Sequence, residues 1–323
     1  RKRLALRNWS WEWSALVRFD AKLVDQAYEL RELAAAETGR ISAESGRLRS
    51  LAVTSGKGGV GKSSISANLA LALGRLGKRV ALLDADLGLA NLDLLLGVTS
   101  RYNLAHVIRG ERRLEEILVE VDEGVLIVPG GVGMADIADL DPRRQLALIE
   151  SLSVLDSMAD MLIVDTGAGL HRTVVSFCLA ADSVLLLTTP EPAAVRDCYG
   201  MLKVLAFSGG TGIDVNLVVN MASSDEEAAS VASRVQMAAA QFLEISVPYV
   251  GYVLRDEAVR RAAETSRPFL IYQPGCAASQ CVRWIASRLA KAGPSGELPP
   301  KAVVGRGVKG FLFRLAKRLT RSR

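Results

Sequence analysis

The chain has 323 residues, half of them apolar and only 5% aromatic, which is enough for one large α/β domain with appendages. No apolar run reaches the ~18 uninterrupted residues of a membrane span. No signal peptide is expected, and Cys178, Cys198, Cys276 and Cys281 form no CxxC pair, which speaks against a zinc or iron–sulfur framework and for reduced cysteines in a cytosolic protein.

The net charge of +5 is uneven. Residues 1–50 are net +3, residues 301–323 carry eight basic and no acidic side chains, and the stretch between is net −6. That asymmetry predicts an acidic globular part and a basic tail that meets an acidic surface. Four segments follow: an extension over 1–50, a core over 51–292, a linker over 293–307 and a tail over 308–323.

Residues 1–21 set Trp9, Trp11 and Trp13 among basic side chains, and no role follows from them. From Ala21 to about Glu37, Leu23, Ala27, Leu30 and Ala34 recur on one helical face around Asp25-Gln26-Ala27-Tyr28-Glu29-Leu30-Arg31. Thr38 to Ser50, rich in Gly, Ser and Arg, reads as a flexible linker.

The apolar run Leu51–Thr54 then leads into Ser55-Gly56-Lys57-Gly58-Gly59-Val60-Gly61-Lys62-Ser63-Ser64 and an apolar-periodic helix. This is the strand, glycine-rich loop and helix of a P-loop, with GxxxxGK[ST] filled at every fixed position. Glycines let successive backbone N–H groups face phosphate oxygens, and the helix N-terminus adds partial positive charge. Lys62 is expected on the β- and γ-phosphates, and the Ser63 hydroxyl on Mg²⁺.

A second buried strand, Arg79 to Asp84, ends in Asp84-Ala85-Asp86, where acidic groups at a strand's C-terminal end sit in the ligand crevice of an open α/β sheet. Asp84 suits Mg²⁺ or its water shell. Leu104–Ile108 and Leu114–Leu118 read as short helices, Val125–Pro129 as a strand and about Arg143–Leu155 as a helix. Met161-Leu162-Ile163-Val164-Asp165 is an apolar strand closed by a carboxylate, the Walker B arrangement, with Asp165 reaching Mg²⁺ through water. Further strands are expected at Ser183–Thr188, Ile213–Asn220 and Pro248–Val253, and a helix at Cys276–Ala290. His106 and His171 read as surface side chains.

Gly293–Gly307 is a Gly- and Pro-rich linker. Beyond it Val308, Phe311, Leu312, Leu315, Ala316 and Leu319 form one apolar stripe on a helix whose remaining faces are basic. That is the composition of an interfacial membrane anchor, with packing on the core as the lesser alternative, since the polar face and the linker favour the anchor. Two copies on a dimer would bind an anionic surface by avidity, and nonspecific contact of this tail with nucleic acid is a further use of its charge.

Lys57 makes the loop KGGVGKS, which resembles the deviant Walker A motif of MinD/ParA ATPases. Asp25-Gln26-Ala27 ahead of it, DTGAG beginning at Asp165 and Thr188-Thr189-Pro190-Glu191-Pro192 resemble the FlhG (FleN/YlxH) branch of that class. The resemblance implies a mostly parallel, Rossmann-like P-loop sheet flanked by helices, ATP and Mg²⁺ as ligands, and an ATP-held homodimer in which Lys57 crosses to the partner's nucleotide. It implies that Asp86 orients the attacking water, that Gly167 presents its N–H to the γ-phosphate, that Asn220 reads adenine and, more weakly, that Asp256 closes over the base. It also implies that Asp25, Gln26 and Ala27 engage the flagellar GTPase FlhF, that basal-body components are further partners, and that the protein sits reversibly on the inner face of the cytoplasmic membrane. A MinD-type division regulator and a ParA-type DNA-segregation ATPase are the alternatives. The acidic core argues against the latter, and no specific nucleic acid is expected.

Overall fold

The computed structural model describes residues 49–86, 91–122, 124–130, 148–209, 214–291 and 307–320, all within the unit Gly46–Arg323. The Asp25-Gln26-Ala27 helix, the Leu87–Ala90 part of the second acidic loop and the 293–306 linker expected above lie outside those residues.

Eight strands form one sheet in the order β3-β4-β2-β5-β1-β6-β7-β8. They are β1 (Arg49–Thr54), β2 (Val80–Ala85), β3 (Val119–Asp122), β4 (Val125–Val128), β5 (Met161–Thr166), β6 (Ser183–Thr188), β7 (Val215–Ala222) and β8 (Tyr249–Leu254). Every neighbouring pair is parallel except β3 with β4. The central strands β2 and β5 are buried along their whole length, as continuous apolar runs covered on both faces must be. The edge strand β3, Val-Glu-Val-Asp, is half exposed and ends the sheet with a β-bulge beside charged residues.

The helices are α1 (Lys62–Gly74), α2 (Leu92–Leu96), α3 (Leu104–Ile108), α4 (Leu155–Met158), α5 (Arg172–Ala180), α6 (Pro192–Gly209), α7 (Asp225–Leu243), α8 (Glu257–Glu264), α9 (Phe269–Tyr272), α10 (Ala277–Lys291) and α11 (Gly307–Thr320). Leu114–Glu116 is a 3₁₀ turn rather than a helix reaching Leu118. The P-loop helix α1 buries ten of its thirteen residues, because its Ala/Leu-rich sequence is apolar on nearly every side and lies between the sheet and α10.

Side chains alternate across the sheet, so each strand feeds two cores. Leu51, Val53 and Leu82 join α1 and α10 on one face. Ala52 packs with α5, α6 and α7 on the other. Ala81 and Leu83 share that second face with Phe177 of α5 and the tail helix α11. The parallel strands all end on the same side, which collects β1, β2 and β5 and the loops that follow them into a single crevice.

Candidate active site

The loop from Ser55 to Gly61 joins β1 to α1. Gly56 is required by close approach, since a Cβ there would run into the backbone carbonyl of Asp197 on α6. Gly61 caps α1 with φ at 88°, a left-handed turn, and no side chain occupies the helix's first amides. Those N–H groups are therefore available to an anion, the arrangement that holds a phosphate.

Lys62 begins α1 and is 7% exposed. Burial depresses its pKa, opposed by the charges of Asp165 and Asp86. Asp165, at the end of β5, is buried, and desolvation pushes its pKa up to about 7 against hydrogen bonds from Ser63 and Ser66. The Ser66 Oγ lies 2.8 Å from Asp165 Oδ1. Asp84 is the register partner of Asp165 on β2, and burial raises it to about 6. Its Oδ2 accepts from Leu92 N at 3.3 Å and its Oδ1 from Asp86 N at 3.2 Å, so it also shapes the turn that carries Asp86. Gly167 faces this carboxylate: a Cβ on it would stand 3.5 Å from Asp86 Oδ1.

Two carboxylates beside one another, dry and reluctant to ionise, are stabilised by a cation. Ser63, Asp84 and Asp165 carry hard oxygen atoms of the kind Mg²⁺ takes. No group of three His, Cys, Asp or Glu converges among the described residues, as suits an ion that keeps waters and substrate phosphates in its shell. The residues present fit Mg²⁺.

The sequence profile of the CobQ/CobB/MinD/ParA nucleotide-binding domain matches residues 51–269. The chain belongs to that family. It is a MinD/ParA-type P-loop ATPase. The antiactivator FleN of Pseudomonas aeruginosa is 40% identical over 252 residues, 77% of this chain and 90% of that protein. The flagellum site-determining protein YlxH of Helicobacter pylori is 34% identical over 277 residues, 85% of this chain and 92% of that one. Among solved structures, the septum site-determining protein MinD of Pyrococcus horikoshii complexed with Mg-ADP superposes with a TM-score of 0.62 at 29% identity, covering 78% of this chain and all of that one.

In this ATPase Lys57 is held within its own chain, with its Nζ 2.6 Å from Glu191 Oε2 in the loop after β6. Asn220, at the C-terminal end of β7, donates from Nδ2 to Val60 O at 2.8 Å and accepts from Met221 N at 2.9 Å. Its amide thus braces the P-loop backbone. The carboxylate of Asp256 caps α8 through Ala258 N at 2.9 Å and accepts from Ala278 N of α10 at 3.2 Å. A single side chain thus ties two helix N-termini.

The tail stripe is covered within the chain. Val308, Phe311, Leu312, Leu315 and Leu319, expected on a membrane, are all buried against the core. Phe311 stacks on Phe177 of α5 with ring centroids 6.3 Å apart. The physical reason is that an amphipathic stripe seeks any apolar surface, and α5 offers one. Polar contacts close both ends. Asp156 Oδ1 accepts from Val308 N at 2.7 Å. Arg314 donates to Ala180 O at 2.6 Å and to Asp182 Oδ1 at 2.9 Å, and Arg172 donates to Leu319 O at 2.7 Å.

Sequence reading missed Ser66, whose position one turn beyond Ser63 on α1 places it on the same face and would have pointed to Asp165. It also missed Glu191 as an intramolecular partner of Lys57, and Asp156, Arg172 and Asp182 as the groups that fasten the tail. No local pattern marks those three.

Proposed function

We propose that this ATPase is an FlhG-type regulator of flagellar number or placement, which alternates between a monomer and an ATP-held, membrane-associated dimer. The observation that carries the catalytic part is the gathering of Lys62, Asp84, Asp86 and Asp165 at the ends of β1, β2 and β5. The flagellar part is supported by the near-complete coverage of FleN and YlxH at 40% and 34% identity.

Lys62 and the first amides of α1 neutralise the β- and γ-phosphates. Ser63, Asp84 and Asp165 would hold Mg²⁺, which would supply positive charge for the same oxygens. Asp86 accepts a hydrogen bond from the attacking water and aims it at the γ-phosphorus, so ATP and water give ADP and phosphate. Gly167 offers its N–H to the γ-phosphate, which makes the following loop sensitive to hydrolysis. An adenine contact by Asn220 requires its bond to Val60 to be exchanged. Lys57 leaves Glu191 and crosses to the partner's nucleotide, and the dimer brings two tail helices to one anionic surface. Among the described residues no helix is long and apolar enough to cross a membrane, so attachment would be peripheral.

The test is GTP turnover by purified FlhF, with the full chain and with a peptide spanning residues 21–37. Stimulation that disappears on Gln26→Ala supports the flagellar assignment. Absence of stimulation by a chain that hydrolyses ATP and binds vesicles points instead to a MinD-type division regulator.

A further inference from the structure

A serine inside a helix ordinarily returns its hydroxyl proton to the carbonyl one turn back. Ser66 does otherwise. It lies on α1, one turn beyond Ser63 and on the same face, and it is fully buried. Its Oγ donates to Asp165 Oδ1 at 2.8 Å. A hydroxyl has one proton to give, so Ser66 commits it to the carboxylate.

The sheet beneath sets up this contact. Asp165 stands near the end of β5, between Val53 of β1 and Asp84 of β2 in register. It follows Met161 and Ile163 onto the face that α1 covers. The next hydroxyl along the strand, Thr166, is turned to Val53 O at 2.9 Å. Three groups of α1 act on Asp165: Lys62, Ser63 and Ser66. Lys62 and Ser63 belong to the first turn, where phosphate and Mg²⁺ are expected, so both gain a second partner when ligands bind. Ser66 is shut off from solvent and hence from any ligand. It can act only through Asp165.

A buried carboxylate needs donors, and that alone would account for a hydrogen bond. The bond does more than satisfy an oxygen. It fills Oδ1 and fixes the rotation of the carboxyl group, which leaves Oδ2 for the shell of an ion. Without it the carboxylate is free to turn either oxygen toward Lys62, and the cost of ordering it falls on ion binding.

We propose that Ser66 is a positioning residue for Mg²⁺: by holding Asp165 Oδ1 it orients the carboxylate for the ion's water shell and so sets the Mg²⁺ affinity of the nucleotide complex, while touching neither metal nor nucleotide. The inference rests on the reading of the crevice as a Mg²⁺·ATP site, and it names the residue that tunes the metal half of that site.

The experiment is calorimetric titration of the nucleotide-free full chain with ADP, in EDTA and across a series of Mg²⁺ concentrations, for wild type, Ser66→Ala and Ser66→Cys. Mg²⁺ is expected to tighten ADP binding to the wild type. For Ser66→Ala the Mg²⁺ concentration that gives half of this effect should rise about tenfold, as when a group that orients a metal ligand is removed. Affinity for ADP in EDTA should stay that of the wild type. Ser66→Cys, close in size but a weaker donor, should fall between the two. ATP turnover should divide in the same way, with KM for Mg²⁺ raised and kcat at saturating Mg²⁺ largely recovered. An unchanged Mg²⁺ midpoint in both variants would overturn the proposal. So would an equal loss of ADP affinity with and without Mg²⁺, which would make Ser66 a support of the P-loop helix alone. Should Ser66→Ala fail to fold, the midpoint of Ser66→Cys decides. If Mg²⁺ leaves ADP binding to the wild type unchanged, the metal reading of the crevice fails and the positioning role falls with it; a Mg²⁺ effect of the same size and midpoint in all three chains sinks the positioning role by itself.

Discussion

The nucleotide crevice and the tail dock handle charge in opposite ways. At the crevice Asp84 and Asp165 are buried side by side with Lys62 nearby, and burial lifts both carboxylates far above their usual range. At the dock each buried polar group has a fitted partner within the chain: Asp156 with Val308 N, Arg314 with Ala180 O and Asp182, Arg172 with Leu319 O. The first region sets two buried carboxylates against one lysine, an imbalance that a cation would relieve. The second is complete as it stands, so opening it needs a competing surface of comparable apolar area. Function sits at the unbalanced site, and the balanced one sets the resting state.

That contrast is sharpest at Phe311, fully buried against Phe177. Phe311→Ala removes its burial and leaves a cavity, a loss of about 3–5 kcal/mol. Because α11 is a single helix at the chain's end, the loss is expected to appear as undocking rather than global unfolding. Amide exchange over 308–319 should quicken by about 10² or more, while exchange in β1 and β5 stays unchanged. Uniform acceleration across the sheet would show that the tail is integral to the fold.

At the crevice the expected sign is reversed. A carboxylate whose folded pKa is raised keeps its proton in the native state, so its contribution to stability is present below the unfolded value and lost as pH rises through the folded one. For Asp84 and Asp165 the window runs from about 4 to about 6 and about 7. Asp165→Asn is therefore expected to stabilise the ligand-free protein at pH 8 by a few kcal/mol while abolishing Mg²⁺-dependent turnover. Urea midpoints between pH 4 and 8 check this. The difference between variant and wild type should grow with pH and shrink when Mg²⁺ and ADP are added. A difference independent of pH would mean that the pair ionises without penalty.

Asp86 separates hydrolysis from binding. It meets the crevice at Gly167 and at the Asp84 turn, and its charge acts on Lys62 of the P-loop. Asp86→Ala should lower turnover about 10²-fold by misplacing the water, with ATP affinity changed by less than about threefold. An equal loss in both would make Asp86 a nucleotide ligand.

The crevice was legible from sequence because each of its parts is local. Asp84 and Asp165 close apolar strands, Lys62 follows the glycines, and parallel strands must bring those ends together. The strands Ser183–Thr188 and Met161–Asp165 could be placed nearly to the residue for the same reason. Strand β3 could not, since Val-Glu-Val-Asp is too short and too polar to rise above a loop. The tail's stripe was readable but its destination was not. A stripe specifies that an apolar surface will cover it, and Phe177 on a distant helix carries no mark that it is that surface. Asp256 shows the same limit: it follows β8, and only the fold brings Ala278 N to it.

The smallest expected effect on stability tests where the two regions communicate with the dimer. The Lys57–Glu191 pair is short at 2.6 Å, but its members are 38% and 61% exposed. An exposed pair contributes little to stability, so Glu191→Gln should leave the melting midpoint of the monomer almost unchanged. Its consequence lies in the partner exchange. Lys57 must leave this carboxylate to reach a second subunit's phosphates, and removing the carboxylate's charge lowers the cost of leaving. ATP-dependent dimerisation, followed by analytical ultracentrifugation, is then expected to tighten, with the gain entering once for each of the two lysines that cross. A weaker dimer would show that Glu191 acts across the interface, and that its pairing with Lys57 in one chain stands in for the same pairing between two.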